Sequence, residues 1–158
     1  MASLSKSARR VQKALWEMGL PYEVIELPQS TRSAEEAARA VGCEVGQIAK
    51  SLVFRGKNSG RPILVIASGK NHVDEEKLSS YLSEPVEKAD ADFVKKETGF
   101  SIGGVPPIGH AKPLVTFIDE DLLGYEEIWA AAGTPNAVFK LSSRDLAAFG
   151  RIVPIKAS

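Results

Sequence analysis

Three stretches of this sequence carry residues able to bind or polarise a ligand. The first is QIAKSLVF, in which Lys50 sits between Ile48 and Ala49 on one side and Leu52 and Val53 on the other. Strand alternation puts Lys50 on the face of Leu52 and Phe54, opposite Ser51 and Val53. A lysine so placed either snorkels to the surface at a sheet margin or aims its ammonium at an anionic or carbonyl group of a ligand. The second is GFSIGGVPPIGH, Gly99 to His110, with four glycines, two adjacent prolines and a histidine in twelve residues. Proline lacks an amide donor and glycine loses the most backbone entropy, so no regular helix forms there. Gly103, Gly104 and Gly109 leave backbone amides accessible to an oxyanion or a carbonyl. Pro106 and Pro107 stiffen the segment, so a pocket wall made from it would be preformed. The same composition also suits a plain crossover between a helix and a strand. It matches neither phosphate-loop fingerprint, lacking the lysine of GxxxxGK[ST] and the order of GxGxxG.

His110 can act as an acid, a base or a hydrogen-bond donor near neutral pH, or can simply tie its own loop. A third stretch, GTPNAVFKL, places the Thr134 hydroxyl and the Asn136 amide beside Gly133, in what also reads as an ordinary turn into a strand. Cys43 is the only cysteine, which rules out intramolecular disulfides and multi-cysteine zinc sites. It has no cationic neighbour in sequence to lower its pKa, so it is not expected to be a nucleophile. His72 and His110 lie far apart without ligand spacing, and no metal or other cofactor is expected. One lysine, backbone-rich turns and small polar groups remain, with no nucleophile–base pair. Such an inventory works through positioning and backbone electrostatics rather than a strong general base.

The elements that position these residues follow from periodicity and end signals. Val11, Ala14, Leu15 and Met18 recur at helical spacing over 5–19, before Gly19 and Pro21. YEVIEL alternates as a strand. Ser33 and Glu36 stand in capping-box spacing ahead of a second helix that ends at Gly42. IAKSLVF and PILVIASG, joined by RGKNSGR, form a hairpin with an exposed tip. Asp74 caps a helix through Leu82, and Asp90 caps another that stops at Gly99. PLVTFIDEDLL is a strand running into a turn, and YEEIWAAAG reads as one short helix. NAVFKL, a capped SSRDLAAFG helix and RIVPI complete the chain. Hairpins mixed with segregated helices, without βαβα alternation, predict an α+β fold around a central, mixed and mostly antiparallel sheet flanked by helices.

The length of 158 residues suits a single domain spanning 1–158, with 44% apolar and 25% charged residues. Lys plus Arg equals Asp plus Glu at 20 each, so no global positive field marks a broad nucleic-acid surface. A protein gripping only the end of a nucleic acid needs no such field. MASLSKSARR has no apolar signal core, and no later run approaches a membrane span, so a cytoplasmic protein without a membrane partner is expected.

QIAKSLVF, PILVIASGKNHVDEEKLSSYL, ADFVKKETGFSIGGVPPIGHAKPLVTFIDEDLL and GTPNAVFKL occur in the order of the YbaK/ProX family. The chain resembles these free-standing aminoacyl-tRNA deacylases, relatives of the editing domain inserted in bacterial prolyl-tRNA synthetases, from about Pro21 to Gly150. The resemblance implies trans-editing: hydrolysis of the ester joining a wrong amino acid to the terminal adenosine of a tRNA. Its partners would be the 3′ acceptor end of aminoacyl-tRNA and an aminoacyl-tRNA synthetase. It further implies that Lys50 is the catalytic contact to the terminal nucleotide or its ester. Gly103, Gly104, Pro107, Gly109 and His110 would shape the amino-acid pocket, with the turn of Gly133, Thr134 and Asn136 facing the same cleft. GTPNAVFKL lacks the late-turn histidine of many alanine-directed members, and GGVPPIGH differs from the GGISP of cysteine-directed ones. Alanyl-, cysteinyl-, seryl- and threonyl-tRNA all stay open. A non-catalytic module binding an acceptor end or a synthetase, and a hydrolase of nucleotide-free aminoacyl esters, are the competing expectations.

Overall fold

Short polar side chains stop the backbone donors of four helices from going unpaired. The computed structural model describes residues 4–157. Residues 1–3 and 158, which the expected domain span includes, lie outside the described residues. Helix α1 (Lys6–Glu17) begins where Ser5 Oγ accepts from the Ala8 N–H, and it buries Ala8, Val11 and Leu15. In α2 (Ala34–Val41) Ser33 accepts from Glu36 N–H, and Gly42 ends the helix in the left-handed region. Asp74 and Asp90 cap α3 (Glu75–Leu82) and α4 (Ala91–Thr98) in the same way. Each such cap is worth about 1 kcal/mol.

Eight strands form one mixed sheet. They are β1 (Ile25–Glu26), β2 (Ile48–Gly56), β3 (Pro62–Ser68), β4 (Val86–Lys88), β5 (Val115–Asp119), β6 (Glu127–Ala131), β7 (Ala137–Ser142) and β8 (Arg151–Val153). The strand order is β1-β7-β6-β2-β3-β5-β8, with β4 joined to β2 off this path. Four pairings are antiparallel and three parallel, giving the α+β sheet that the element pattern predicts. Ser142 caps a short α5 (Ser143–Leu146). Among the described residues, no helix is long and apolar enough to cross a membrane.

Two local expectations give way to tertiary structure. YEEIWAAAG is not a helix: it supplies β6, with Ile128 and Ala130 buried in alternation. Alanine favours helices intrinsically, but β6 is paired along one edge with β7 and at Trp129 and Ala130 with β2. Burial on the sheet outweighs the propensity. The expected strand over 22–27 shrinks to Ile25–Glu26, which pairs with Val138 and Ala137 of β7.

Each face of the sheet has its own core. One packs Val53, Leu64, Ile66 and Ile118 against α1, α4 and the buried Phe100, Val105 and Ile108 of the Gly99–His110 loop. The other packs Phe54, Val65, Ala67 and Phe117 against Leu78 and Leu82 of α3. Lys50 and Ser51 therefore start from neighbouring positions but project toward different layers.

Candidate functional site

Strand β2 changes partners along one edge. It runs parallel to β6 at Ile48 and Ala49, and antiparallel to β4 at Phe54, Arg55 and Gly56. Its other edge is paired with β3 from Ala49 to Arg55. Between β6 and β4, Lys50, Ser51 and Leu52 have no strand beside them. A cleft of about 350 Å³ opens at this split. His72, Val73 and Glu75 wall it from the start of α3, Lys88 and Ala89 from the end of β4. Val94 of α4 and Ile102 and Val105 of the loop close the remaining side.

Lys50 is half-buried, and among the described residues its ammonium has no ion pair or hydrogen bond. Burial pushes its pKa below the ordinary 10.5; Glu35 and Asp119 pull it back up, and the Lys88 ammonium adds to the lowering. A cation held in a cleft without a direct ion pair is disposed to take an anionic or strongly polar ligand group. Asp119 is nearly fully buried. Its Oδ2 accepts from the Ser68 N–H at 3.0 Å and from Asn71 Nδ2 at 2.8 Å. This fixes the turn that leads from β3 to His72. The sequence reading missed Asp119 and Asn71, whose partnership joins β5 to the turn after β3 and leaves no spacing signal.

On the other side of the strand, Ser51 Oγ is buried without a hydrogen-bond partner among the described residues. It neighbours Val53 on an apolar face that also receives Val94 and Val105. An unpaired buried hydroxyl costs about 1–3 kcal/mol relative to a paired one. It therefore does nothing for the fold. Ser51→Ala is expected to leave the thermal midpoint unchanged or raise it, as measured by calorimetry; a drop of several degrees would make Ser51 structural instead.

The Gly99–His110 loop is nailed down rather than free. Phe100, Val105 and Ile108 are buried in the core, and Thr98 Oγ accepts from Phe100 N–H at 3.0 Å. His110 Nε2 donates to the Pro106 carbonyl at 2.7 Å, across the two prolines. Burial lowers its pKa below the usual 6.5, partly offset by that hydrogen bond, so the ring is a neutral donor at pH 7. Pro107 is buried, Gly109 lies against Ala14 of α1, and Gly103 lies against Arg32.

The late turn docks on this loop through Gly133 N–H, which donates to the Gly104 carbonyl at 2.8 Å. Thr134 Oγ1 donates to Asn136 Oδ1, and Asn136 Nδ2 donates to the Leu27 carbonyl at 2.8 Å. Those polar groups thus bind the turn to the segment before α2. The structure joins the loop to the Gly133 turn and brings the loop to Lys50, but the loop's side chains in the cleft wall are Ile102 and Val105. Gly103, Gly104, Pro107, Gly109 and His110 are not part of that lining, nor are Gly133, Thr134 and Asn136. The apolar positions beside the glycines, exposed Ile102 and buried Val105, were the signal for the wall. Among the described residues, no three His, Cys, Asp or Glu side chains gather as a metal site.

Over most of its length the chain is similar to known proteins. YwhH of Bacillus subtilis (strain 168), whose function is uncharacterized, is 31% identical over 127 residues, 80% of each chain. EbsC of Enterococcus faecalis, named as a candidate Cys-tRNA(Pro)/Cys-tRNA(Cys) deacylase, is 30% identical over 81% of this chain and 84% of its own. A crystal structure described as a candidate trans-editing enzyme for prolyl tRNA synthetase superposes with a TM-score of 0.92. It shares 50% identity and covers 99% of this chain and 100% of its own. The aminoacyl-tRNA editing domain profile matches residues 28–149, and this chain belongs to that family.

Proposed function

We propose that this protein is a trans-editing hydrolase that cleaves the ester between an amino acid and the terminal adenosine of a mischarged tRNA. The observation that carries this reading is the unpaired Lys50 ammonium at the split edge of β2. A 3′-terminal aminoacyl-adenosine is a small, extended group that enters a cleft of this size without needing a large basic surface. Lys50 contacts the terminal nucleotide or the ester oxygen and stabilises negative charge as it develops. A water oxygen attacks the ester carbonyl and gives a tetrahedral intermediate. The acyl carbon–oxygen bond to the ribose then breaks, and the freed ribose oxygen takes up the proton given up by the attacking water. Backbone amides at the open strand edge are the available oxyanion donors. The substrate's own vicinal ribose hydroxyl serves to orient the water.

The amino-acid side chain occupies the niche of Val53, Val94 and Val105 on the far face of the strand. Its walls are buried branched residues, so the niche sieves by size. Binding alone separates amino acids differing by one methylene by about 1–3 kcal/mol, and a second, hydrolytic sieve is the physical remedy. The synthetase that mischarges the tRNA is the partner that supplies the substrate.

A panel of tRNAs charged with alanine, serine, threonine and cysteine tests this directly. At least one is expected to be deacylated well above the spontaneous rate. If every member stays charged while tRNA binds saturably, the protein is an acceptor-end binding module and the hydrolase reading fails.

A further inference from the structure

Lys88 is the second cation of the cleft, and nothing in the ester chemistry above employs it. It ends β4, where it stands directly opposite Phe54 of β2. Directly opposed residues share a face, so Lys88 projects from the face that carries Lys50, Leu52 and Phe54. It is exposed, lines the cleft, and has no ion-pair partner among the described residues. Glu75 stands on the same wall but forms no bridge to it. Three other lysines, Lys112, Lys140 and Lys156, do find carboxylates. In a chain with no net charge, two unpaired ammoniums facing one opening form a local anion site.

Spacing decides what each lysine holds. Positions 50 and 54 lie roughly 13 Å apart along the strand. Lys50 and Lys88 therefore suit two points on an extended ligand rather than one oxygen. Orientation follows from the lining. The charged side chains Lys50, Lys88 and Glu75 stand on one side, and the amino-acid side chain finds its apolar match on the side of Ser51 and Val105. The nucleotide chain leaves past Lys88, and its nearest anion is the phosphodiester preceding the terminal adenosine.

Resting on the hydrolase reading, we propose that Lys88 is a positioning residue that grips this phosphodiester and so sets the ester beside Lys50. The cleft then discriminates a charged RNA from a free aminoacyl nucleoside by one phosphate contact.

The test compares two substrates carrying the same amino acid: aminoacyl-tRNA, and 3′-O-aminoacyl-adenosine, which has no phosphodiester. In Lys88→Ala, the ratio of kcat/KM for the tRNA to that for the nucleoside ester is expected to fall about tenfold, chiefly through KM. Lys88→Arg should recover most of the ratio. The slope of log kcat/KM against log salt should flatten by about 0.7 for the tRNA. A ratio that does not move, or an equal loss on both substrates, would overturn the assignment. If the wild-type protein hydrolyses neither substrate, the hydrolase reading falls, and binding of uncharged tRNA then judges Lys88. A roughly tenfold weaker, less salt-sensitive complex in Lys88→Ala supports the phosphate contact, and unchanged binding overturns it.

Discussion

Lys50→Ala is expected to lower kcat/KM for deacylation by about a hundredfold or more, while the protein stays folded. The magnitude is that of removing one preorganised donor from a developing oxyanion. The fold does not depend on this ammonium, since it has no ion pair and its burial is a cost. Replacing it with an apolar chain of similar length removes that cost. Lys50→Met should accordingly raise the thermal midpoint while abolishing turnover, the signature of a residue kept for function. The pH dependence has a defined sign. Because the folded-state pKa lies below 10.5, the unfolded chain holds more protons between the two values, and stability from this group rises with pH across that window. The methionine variant should lose that component of the rise. Full activity in Lys50→Ala would remove the central residue of the proposed mechanism.

Gly104→Ala and Gly133→Ala are expected to be strongly damaging although neither residue lines the cleft. A Cβ on Gly104 would lie 2.9 Å from backbone atoms of Thr134 and 3.0 Å from that of Gly133. On Gly133 it would lie 2.7 Å from the Ser7 carbonyl oxygen, at a φ of +98° that side-chain-bearing residues rarely adopt. Backbone cannot yield as a flexible side-chain tip does, so the loop, the turn and α1 must separate. Overpacking of this kind costs about 1–3 kcal/mol, with backbone strain added at Gly133. A loss of about 2 kcal/mol corresponds to a fall of about 4–8 °C in the melting midpoint for a domain of this size. Because Val105 follows Gly104 directly, the wall of the niche shifts as well, and deacylation should fall at least about tenfold. Gly124→Ala is the control, since a Cβ there meets nothing within 4 Å and the backbone is outside the left-handed region. Thermal scans of the three variants check this order. A Gly104→Ala protein as stable and active as Gly124→Ala would mean that the loop–turn contact does not position the wall.

Local chemistry made much of the fold legible in the sequence. Ser33, Asp74 and Asp90 cap helices because a short acceptor beside a run of unpaired amides acts within three residues. Gly42 and Gly99 end helices for an equally local reason. Alternation alone assigned Lys50 and Ser51 to opposite faces of a strand, and composition alone marked Gly99–His110 as stiff and apolar. What escaped was set by distant pairing. The three alanines after Trp129 favour a helix until β7 and β2 offer them two sheet edges. Those same pairings decide the site, because β6 covers β2 only as far as Ala49 and β4 resumes at Phe54. The cleft is the unpaired interval between them. Lys88 gained meaning only when a three-residue strand placed it opposite Phe54. Side-chain type and facing are properties of the local chain, so the sequence by itself determined them. Which strand edge stays open depends on segments far apart in the chain, and only the tertiary structure could decide it.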